Sequence, residues 1–310
     1  MILCSGESLI DMLPLKGAAG FHPLPGGAVY NTALALGRLR QQAGYFWPIS
    51  RDRFGELLLE RLMAAKVDVS LSPRSDRPTT LAFVTLDRGE PRYTFQDDGS
   101  AGRMFAVEDW PELPGFLTAL FIGGISLAAD PCGATVERLA EMAAAAGIPI
   151  MLDPNIRPFV IRDEPAYRAR LGRLIAQADI VKLSAEDLSW LYPGRTHDDS
   201  LLDEIRATGP RVVFCTNGGK GAWVRWKGGT LFAAAPRVQV VDTIGAGDAF
   251  NAGVLAGLAQ SRILSSGLAQ ITGQSLRTAL DLGVRVASLS VTRPGADPPW
   301  SAELGLHSLS

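Results

Sequence analysis

The residues best suited to chemistry are two glycines, with one alanine between them, and the aspartate that follows. They are Gly245, Ala246, Gly247 and Asp248. The β-branched run at residues 238–241 predicts a strand before them, and the apolar spacing after them predicts a helix. A turn between strand and helix leaves backbone N–H groups unpaired at the positive end of the helix dipole, where a phosphate can bind.

Asp248 falls in the first turn of that helix, and two interpretations are open. An acid there stabilises the helix without any chemistry. Alternatively, it is a general base that takes a hydroxyl proton while the amides of the turn hold the phosphoryl group arriving at that oxygen. The other polar segments of the chain decide between the two.

The complete string at residues 242–248, Asp-Thr-Ile-Gly-Ala-Gly-Asp, resembles the C-terminal signature of the ribokinase-like (PfkB) carbohydrate kinases. In that family the string carries the anion hole and the catalytic aspartate, and it is matched here without a departure. The resemblance implies that Asp248 is the base and that the turn before it is the anion hole. Other segments between residues 6 and 300 are also similar to the family, so the likeness covers nearly the whole chain.

Composition narrows the classes of partner. The chain has 310 residues, of which 30 are basic and 32 acidic, and its formal net charge is −2. This balance gives no field that would gather nucleic acid or an anionic membrane. The longest apolar run, residues 117–129, is too short to span a bilayer. Small-molecule chemistry is therefore expected.

The cysteines and the first residues predict a cellular location. Cys4, Cys132 and Cys215 have neither metal-ligand nor redox spacing. The first seven residues carry no basic segment before their apolar residues and do not look like a secretion signal. We expect reduced core thiols in a cytoplasmic protein.

Two segments near the N-terminus are candidates for binding a sugar. Asp11 could be a turn acid before Pro14 or a ligand that accepts several hydrogen bonds. Gly26 and Gly27 precede a predicted helix containing Asn31, and they fit a structural turn or close approach to a ligand equally well. In the resembling kinases, the aspartate of Gly-Glu-x-Leu-x-Asp binds two sugar hydroxyls and Gly-Gly-x-x-x-Asn-x-Ala contacts the sugar. The resemblance assigns the matching residues here to the sugar.

A hairpin interrupts the first part of the chain. Residues 79–86 and 92–95 predict two strands that are joined around residues 87–91. Since a hairpin is out of place in a parallel sheet, it indicates a separate small sheet.

We expect this small sheet to be a lid that folds over the sugar and excludes water. It would consist of about residues 8–24 and 78–100 and is similar to the lid of the family. Phe95 and Gln96 would bind the sugar from the lid. Its edge strands could also pair between two subunits of a homodimer.

From residue 117 onward, strand and helix patterns alternate regularly. Continuous apolar strands in such an alternation predict a parallel sheet with helices on both faces. With the resemblance, this indicates an α/β fold in one domain: a ribokinase-like, Rossmann-type sandwich with a mainly parallel central sheet, plus the lid. Ligands bind beyond the C-terminal ends of such strands, and four polar segments fall there.

The first two polar segments could be purely structural. The first contains Asn155 and Arg157 in a proline-rich turn, yet the guanidinium of Arg157 could grip two phosphate oxygens. The second contains Lys182, Ser184 and Asp187, of which the last two could form only a capping box.

The resemblance gives these residues functional roles. In the family, Asp-x-Asn-x-Arg lines the active site, which assigns Arg157 to catalysis and Asn155 to ATP. Lys182 and Ser184 would also bind ATP, and Asp187 would hold Mg²⁺ through water. Ser184 and Asp187 stand where the family has Asn and Glu. They have the family's roles only if Ser and Asp can take the place of these two side chains.

Thr216, Gly218 and Gly221 form the third segment, whose glycines also fit a simple hairpin. Similar kinases use a Thr-x-Gly-x-x-Gly loop to hold nucleotide phosphates and adenosine, so these residues and the glycines of the fourth segment, Gly245 and Gly247, would bind ATP. The loop is not a P-loop, and no Gly-x-Gly-x-x-Gly run follows a strand, which argues against a dinucleotide enzyme.

The start of the 242–248 string offers a site for a monovalent cation. In the family, the aspartate and a backbone carbonyl at these positions, here Asp242 and Ile244, can hold such an ion. K⁺ activation is therefore one expectation. The alternative is that Asp242 simply caps the turn.

Phosphoryl transfer needs a base, an anion cradle, a cation and a lid, and each has a candidate here. We expect an ATP-dependent enzyme that phosphorylates a primary hydroxyl of a sugar with the help of Mg²⁺. Residues 25–33, 77–84 and 182–187 look most like those of bacterial fructokinases, which implies D-fructose as acceptor and fructose 6-phosphate as product. Residues 28–30 lack the lysine of ribokinases, which agrees with this branch.

Three rivals stay open. A 2-dehydro-3-deoxygluconate kinase has a similar framework, but the acidic lid string at residues 93–98 favours a neutral sugar. A nucleoside or aminoimidazole riboside kinase is the second rival. The third is a catalytically silent sugar- or nucleotide-binding sensor, which the intact Asp248 opposes.

Overall fold

A computed structural model describes residues 1–15, 19–87, 90–107 and 112–306, with backbone alone at 85–87 and 90–92. The first part of the chain forms β1 (Ile2–Ser5), β2 (Leu9–Pro14), β3 (Phe21–Gly26), α1 (Ala28–Arg38), β4 (Ala43–Tyr45), β5 (Ile49–Ser50), α2 (Arg53–Ala64), β6 (Arg74–Ser75), β7 (Leu81–Asp87) and β8 (Glu90–Gln96).

The second part alternates between strands and helices, as its apolar pattern predicts. It forms β9 (Ala119–Gly123), α3 (Cys132–Ala145), β10 (Ile150–Asp153), α4 (Glu164–Gln177), β11 (Ile180–Ser184), α5 (Ala185–Leu191), α6 (Asp199–Ala207), β12 (Val212–Thr216), β13 (Ala222–Trp226), β14 (Gly229–Ala233), α7 (Ala246–Gln260) and α8 (Gly273–Ser290).

A central sheet of eight strands runs in the order β14-β13-β12-β11-β10-β9-β1-β4. The six strands from β12 to β4 are parallel, and β13 and β14 continue the sheet antiparallel. Strands such as β9 and β10 are buried along their whole length, because helices cover the sheet. The predicted α/β architecture with a mainly parallel sheet is confirmed.

Helices α7 and α8 pack unusually closely, and this fixes where α7 begins. Gly253 and Gly257 face α8; a Cβ at Gly253 would lie 2.7 Å from the Cα of Gly283, and one at Gly257 would lie 2.6 Å from the Cα of Ala279. Any larger residue would push the helices apart. Since α7 also contacts α1, its first turn is held against the start of the chain.

A second sheet has the order β3-β2-β7-β8 and contains the predicted hairpin. The strand β3 was not expected, and it pairs antiparallel with β2 from Leu9 opposite Gly26 to Pro14 opposite Phe21. Residues 88 and 89 of the predicted turn lie outside the described part of the chain. Leu24, Asp11, Ala82 and Phe95 are paired in one row across the sheet. Their side chains therefore share a face.

The strand predicted at residues 238–241 is wrong. The segment has no ladder partner among the described residues, although the N–H groups of Val241 and Asp242 both donate to the carbonyl of Val291 after α8. Val238, Val240 and Val241 are 37%, 58% and 55% exposed. β-branched residues favour a strand only where a neighbouring edge can pair with them, and none does here.

No helix in the described ranges is long and apolar enough to cross a bilayer.

Candidate active site

One cleft of about 1010 Å³ runs between the second sheet and the C-terminal ends of β9 to β12. Its volume exceeds that of a pocket for one small ligand and suits two substrates side by side. All four predicted polar segments contribute to its walls: Asn155 and Arg157; Lys182, Ser184 and Asp187; Thr216, Gly218 and Gly221; and residues 243–248. From the N-terminal part, Asp11, Gly27, Asn31 and Phe95 also line it.

Asp248 lies in the first turn of α7 and is only 6% exposed. The amide of Asn31 on α1 donates to its Oδ2 at 2.9 Å, which joins two residues that are 217 positions apart in the chain. Burial raises the pKa of Asp248 to about 7, and the nearby Asp153 adds to the rise, whereas Asn31, Lys182 and Arg157 oppose it. A carboxyl group with this pKa can both accept and release a proton near neutral pH.

The turn before Asp248 has the geometry of an anion-binding site. Gly245 has φ 74°, a left-handed conformation that favours glycine, and a Cβ there would lie 2.8 Å from the Cβ of Ala296. Within the described part of the chain, the backbone N–H groups of Gly245, Gly247 and Asp248 donate no hydrogen bond. Unpaired donors at a helix N-terminus attract an anion.

A buried ion pair lies behind this turn. Lys182 on β11 and Asp153 at the end of β10 are 3% and 2% exposed, and their Nζ and Oδ2 atoms are 3.0 Å apart. The amide of Asn251 on α7 donates to the same Oδ2 at 2.6 Å. Although burial alone would lower the pKa of Lys182, the carboxylates of Asp153 and Asp187 raise it above its ordinary value, so the side chain carries its charge.

The end of the cleft beside the second sheet is built around Asp11. Its carboxylate fits only because Gly26 on the neighbouring strand has no side chain, since a Cβ there would overlap Oδ2 of Asp11. Burial raises the pKa of Asp11 to about 6. Gly26 itself does not line the cleft, whereas Gly27, at φ 111°, does. A Cβ on Gly27 would lie 2.5 Å from the carbonyl oxygen of Glu7.

Glu7 is a buried carboxyl that the sequence reasoning did not single out. It accepts from the N–H of Ala28 at 2.9 Å and of Ser126 at 3.2 Å, and so joins the start of α1 to the turn after β9. Gly124 leaves room for it, because a Cβ there would overlap the carboxylate. Burial raises the pKa of Glu7 to about 7. Its position directly after the first buried strand was the available signal.

Aromatic side chains close the same end of the cleft. Tyr93 and Phe95 on β8 stack on Phe159, which follows β10, with ring centroids 5.5 and 5.9 Å apart. All three line the cleft. Gln96 does not, because consecutive residues of a strand point to opposite faces. Phe159 was missed, since nothing in its sequence context distinguishes it from a surface aromatic residue.

Arg157 and Asn155 come from the loop after β10. The backbone N–H of Asn155 donates to Oδ1 of Asp153 at 3.0 Å, and its φ of 44° turns the chain toward the cleft. Arg157 is exposed, and its guanidinium donates to the carbonyl of Ile156 at 3.1 Å. Most of its donors stay available for an anion.

Ser184 and Asp187 form the capping box that the sequence left as one alternative. Ser184 Oγ accepts from the N–H of Asp187, and the Asp187 carboxylate accepts from the N–H groups of Ser184 and Ile156. Asp187 is 2% exposed. Glu186, beside it, is exposed, lines the cleft and has no hydrogen-bond or ion-pair partner among the described residues.

Thr216 ends β12, and the glycine loop after it both turns a hairpin and lines the cleft. Gly221 has φ 111°, and a Cβ there would overlap the carbonyl oxygen of Ala233. Apolar residues from other segments also line the cleft: Pro236, Val238, Val240, Ala287 and Val291. The exposed valines of the mispredicted strand therefore form a wall suited to a flat aromatic base.

Asp242 caps the turn and does not line the cleft. Its Oδ1 accepts from the N–H of Ile244 at 3.0 Å, and its Oδ2 accepts from the N–H of Gly295 at 2.9 Å. This fixes the segment after α8 against the anion-binding turn. A monovalent cation at Asp242 and the Ile244 carbonyl stays a prediction.

The cleft thus combines a buried base, an anion-binding turn, a carboxylate suited to hydroxyl groups and an apolar wall. Such a set can move a phosphoryl group from a nucleotide to an alcohol. Within the described ranges, no group of three or more His, Cys, Asp or Glu residues is arranged to hold a metal directly.

Known proteins share both the sequence and the architecture. The sequence model of one family, the pfkB family carbohydrate kinases, matches residues 2–303. A fructokinase of Rhizobium leguminosarum bv. trifolii is 45% identical over 285 residues, which cover 91% of this chain and 87% of that protein.

Solved structures agree. The crystal structure of Xylella fastidiosa fructokinase with bound ATP has a TM-score of 0.88 and 28% identity, covering 98% of this chain and 97% of the other. A fructokinase double mutant of Vibrio cholerae O395, bound to fructose, ADP and a potassium ion, has a TM-score of 0.82 and 27% identity over 95% and 93% of the two chains.

Proposed function

The chain belongs to the pfkB family of carbohydrate kinases, and we propose that it transfers the γ-phosphoryl group of ATP to the primary hydroxyl of D-fructose, giving fructose 6-phosphate. The observation that carries this proposal is the position of Asp248 beside the N–H groups of Gly245 and Gly247, which donate no hydrogen bond to the described residues, in a cleft that Asp11 and Asn31 also line. A base and an anion site at one helix start are what phosphoryl transfer to an alcohol requires.

In the proposed reaction, Asp11 accepts hydrogen bonds from two sugar hydroxyls and holds the primary hydroxyl near Asp248. Asp248 takes the hydroxyl proton as the oxygen forms a bond to the γ-phosphorus. The bond from that phosphorus to the bridging oxygen breaks, and ADP leaves with the electron pair. The N–H groups of Gly245 and Gly247, with the guanidinium of Arg157, stabilise the charge on the transferred group.

Mg²⁺, when bound to the triphosphate, would neutralise charge and align the γ-phosphate. Two acidic residues of the cleft fit a hydrated divalent cation. Glu186 is exposed and free of described partners, whereas both oxygens of Asp187 already accept backbone N–H groups. We propose that both hold the ion through water, with Glu186 the more accessible of the two.

The acidic residues at the end of the cleft around Asp11, where we propose that the acceptor binds, favour D-fructose over an acid sugar. Glu7, Asp11 and Asp248 all line this end, so a substrate carboxylate would meet three acidic groups. The names of the relatives point the same way, since fructokinases occur among both the sequence and the structure matches.

The direct test is a coupled ADP-release assay over a panel of acceptors: D-fructose, D-ribose, 2-dehydro-3-deoxygluconate and an aminoimidazole riboside. We expect the highest kcat/KM with D-fructose and a product that ³¹P NMR identifies as fructose 6-phosphate. A higher kcat/KM with another acceptor would show that fructose is not the preferred substrate, but the assignment as a kinase would stand. Absence of ADP release with every acceptor, together with binding of ATP or sugar, would favour the silent sensor.

Three finer properties complete the proposal. K⁺ would activate the enzyme near Asp242 and the Ile244 carbonyl, as the potassium-bound relative suggests. The protein would act in the cytoplasm, in agreement with three buried and unpaired thiols. It would form a homodimer through the lid, whose face opposite the cleft exposes Phe21, packed edge-on against Phe83 at 5.0 Å. Activity measured during a KCl titration tests K⁺ activation, and light scattering tests the homodimer.

A further inference from the structure

Lys182 and Asp153 form a buried ion pair, and residues from three parts of the fold hold Asp153 in place. Asp153 Oδ2 accepts from both Lys182 and Asn251, and Asp153 Oδ1 accepts from the N–H of Asn155. The pair thus connects β10, β11 and α7, the three elements whose ends form the phosphoryl-binding part of the cleft.

The ammonium of Lys182 reaches the anion-binding turn from behind. A Cβ added at Gly247 would lie 3.3 Å from Lys182 Nζ, so glycine at this position allows the turn to lie close to the ammonium group. Lys182 lines the cleft although it is only 3% exposed. A charge at this depth is screened little by water, and its field acts over the turn more strongly than that of a surface lysine.

A pair of this kind is a poor device for stability alone. Removing two charges from water costs several kcal/mol per ion, and an apolar pair of similar size is often as stable or more so. The position of the pair behind unpaired N–H groups gives it a use that burial does not explain.

We propose that Lys182 is a fixed positive charge of the transfer site, held by Asp153 and Asn251 behind the Gly245–Gly247 turn, where it stabilises the charge of the migrating phosphoryl group. This inference rests on the proposed kinase function. It assigns Lys182 to the transfer step, whereas the sequence assigned it only to ATP binding, and it makes Asp153 and Asn251 positioning residues.

The test uses three variants of the full chain: Lys182→Met, Asp153→Asn and the double variant with both changes. Methionine keeps the length of the lysine stem without its charge, and asparagine keeps acceptor and shape at residue 153. The double variant has no net charge change at the pair, so it stays foldable where Lys182→Met alone leaves a buried, unpaired carboxylate. Thermal melting confirms that each variant is folded.

We expect kcat to fall about 10²-fold in Lys182→Met, the usual effect of removing one group that stabilises transition-state charge, while the KM for fructose changes less than about threefold. The double variant should stay as slow, because the charge is still missing. Asp153→Asn, which keeps the charge, should lose less than about tenfold. Recovery of the double variant to within about threefold of wild type would show that Lys182 only neutralises Asp153, and would overturn the inference.

The pH profile gives a readout that a merely structural pair would not move. The groups that face Asp248 are Asn31 and Thr32 from α1, Asp153 and Arg157 from β10 and its loop, and Lys182 from β11. Asp153→Asn removes a negative charge from this set and keeps the positive one. The acid limb of kcat/KM should therefore move to lower pH in Asp153→Asn and to higher pH in Lys182→Met, and an unmoved limb in Lys182→Met would contradict the charge role.

Failure of this inference is distinguishable from failure of the proposed function. If wild-type protein phosphorylates no acceptor, the kinase proposal fails. If wild type is active and the double variant matches it, only the role of Lys182 fails.

Discussion

At the scale of the residue, Asp248 is held between two opposing influences. Burial raises its pKa to about 7, while the Asn31 amide and the charges of Lys182 and Arg157 favour the carboxylate. A base with a pKa near the working pH is available in its ionised form and still binds the proton that it removes.

The pH dependence of the reaction follows from this pKa. A general base must be ionised, so kcat/KM for fructose should fall tenfold per pH unit below about pH 7 and level off above it. The measurement is kcat/KM between pH 5 and 9 in a buffer of constant ionic strength. A profile that stays flat down to pH 5 would mean that Asp248 titrates as an ordinary exposed carboxyl.

Single residues were also where the sequence was most and least informative. The motif residues of the cleft could be named because their spacing resembles the signatures of a known kinase family, whereas the residue types alone left a structural alternative open for each. Phe159 and Asn251 could not, because their roles come from neighbours that are distant in the chain. Gln96 was predicted in the cleft, but strand alternation turns it away while Phe95 faces inward.

At the scale of the element, the second sheet and α1 together form the end of the cleft that we assign to the sugar. β2 supplies Asp11, β3 supplies the glycine that makes space for it, and α1 supplies Asn31. The sequence predicted the hairpin β7–β8 but not β3, whose two prolines argue against a strand. Proline is tolerated there because β3 is an edge strand of the lid sheet.

Gly26→Ala tests this packing. The new methyl group would occupy the place of the Asp11 carboxylate, so we expect the KM for fructose to rise at least about tenfold, with the KM for ATP nearly unchanged. Gly172→Ala is the matched control, because a Cβ at Gly172 meets no atom within 4 Å. An unchanged fructose KM in Gly26→Ala would show that Asp11 does not bind the sugar.

The aromatic stack connects the lid to the loop after β10. Phe159→Ala removes the partner of Tyr93 and Phe95, so the lid should exclude water less well. We expect a higher fructose KM and a larger share of ADP released without sugar phosphorylation. Comparing ADP with fructose 6-phosphate in one reaction measures that share. Phe116→Ala, at an exposed site away from the cleft, should leave the two products equal.

At the scale of the whole molecule, the alternation after residue 117 was enough to predict the layers and the position of the site. The antiparallel strands β13 and β14 at one end of the central sheet were not predicted, and residues 238–241 were mistaken for a strand. In both cases pairing decides, and pairing depends on which sheet edge is free after the other strands have assembled.

Buried carboxyls of the cleft also affect the stability of the entire chain. Burial raises the pKa values of Glu7 and Asp248 to about 7, so the folded state binds protons that the unfolded state has released. Their contribution to the free energy of unfolding is fully present below about pH 4 and is lost as the pH rises through about 7.

Asp248→Asn should therefore raise the Tm more at pH 8 than at pH 5, by roughly 1–2 °C for each kcal/mol gained in a chain of this length. Calorimetry of wild type and variant at both pH values measures the difference. An equal shift at the two pH values would mean that the native carboxyl is not perturbed.

The central claim, that Asp248 is the base of a sugar kinase, is tested most directly by the kcat of Asp248→Asn with D-fructose and Mg·ATP. Asparagine keeps the shape and cannot take the proton, so kcat should fall by about 10² to 10⁴. The Kd for fructose, measured by calorimetry, should stay within a few-fold of wild type. Turnover near the wild-type rate in a folded variant would contradict the assignment.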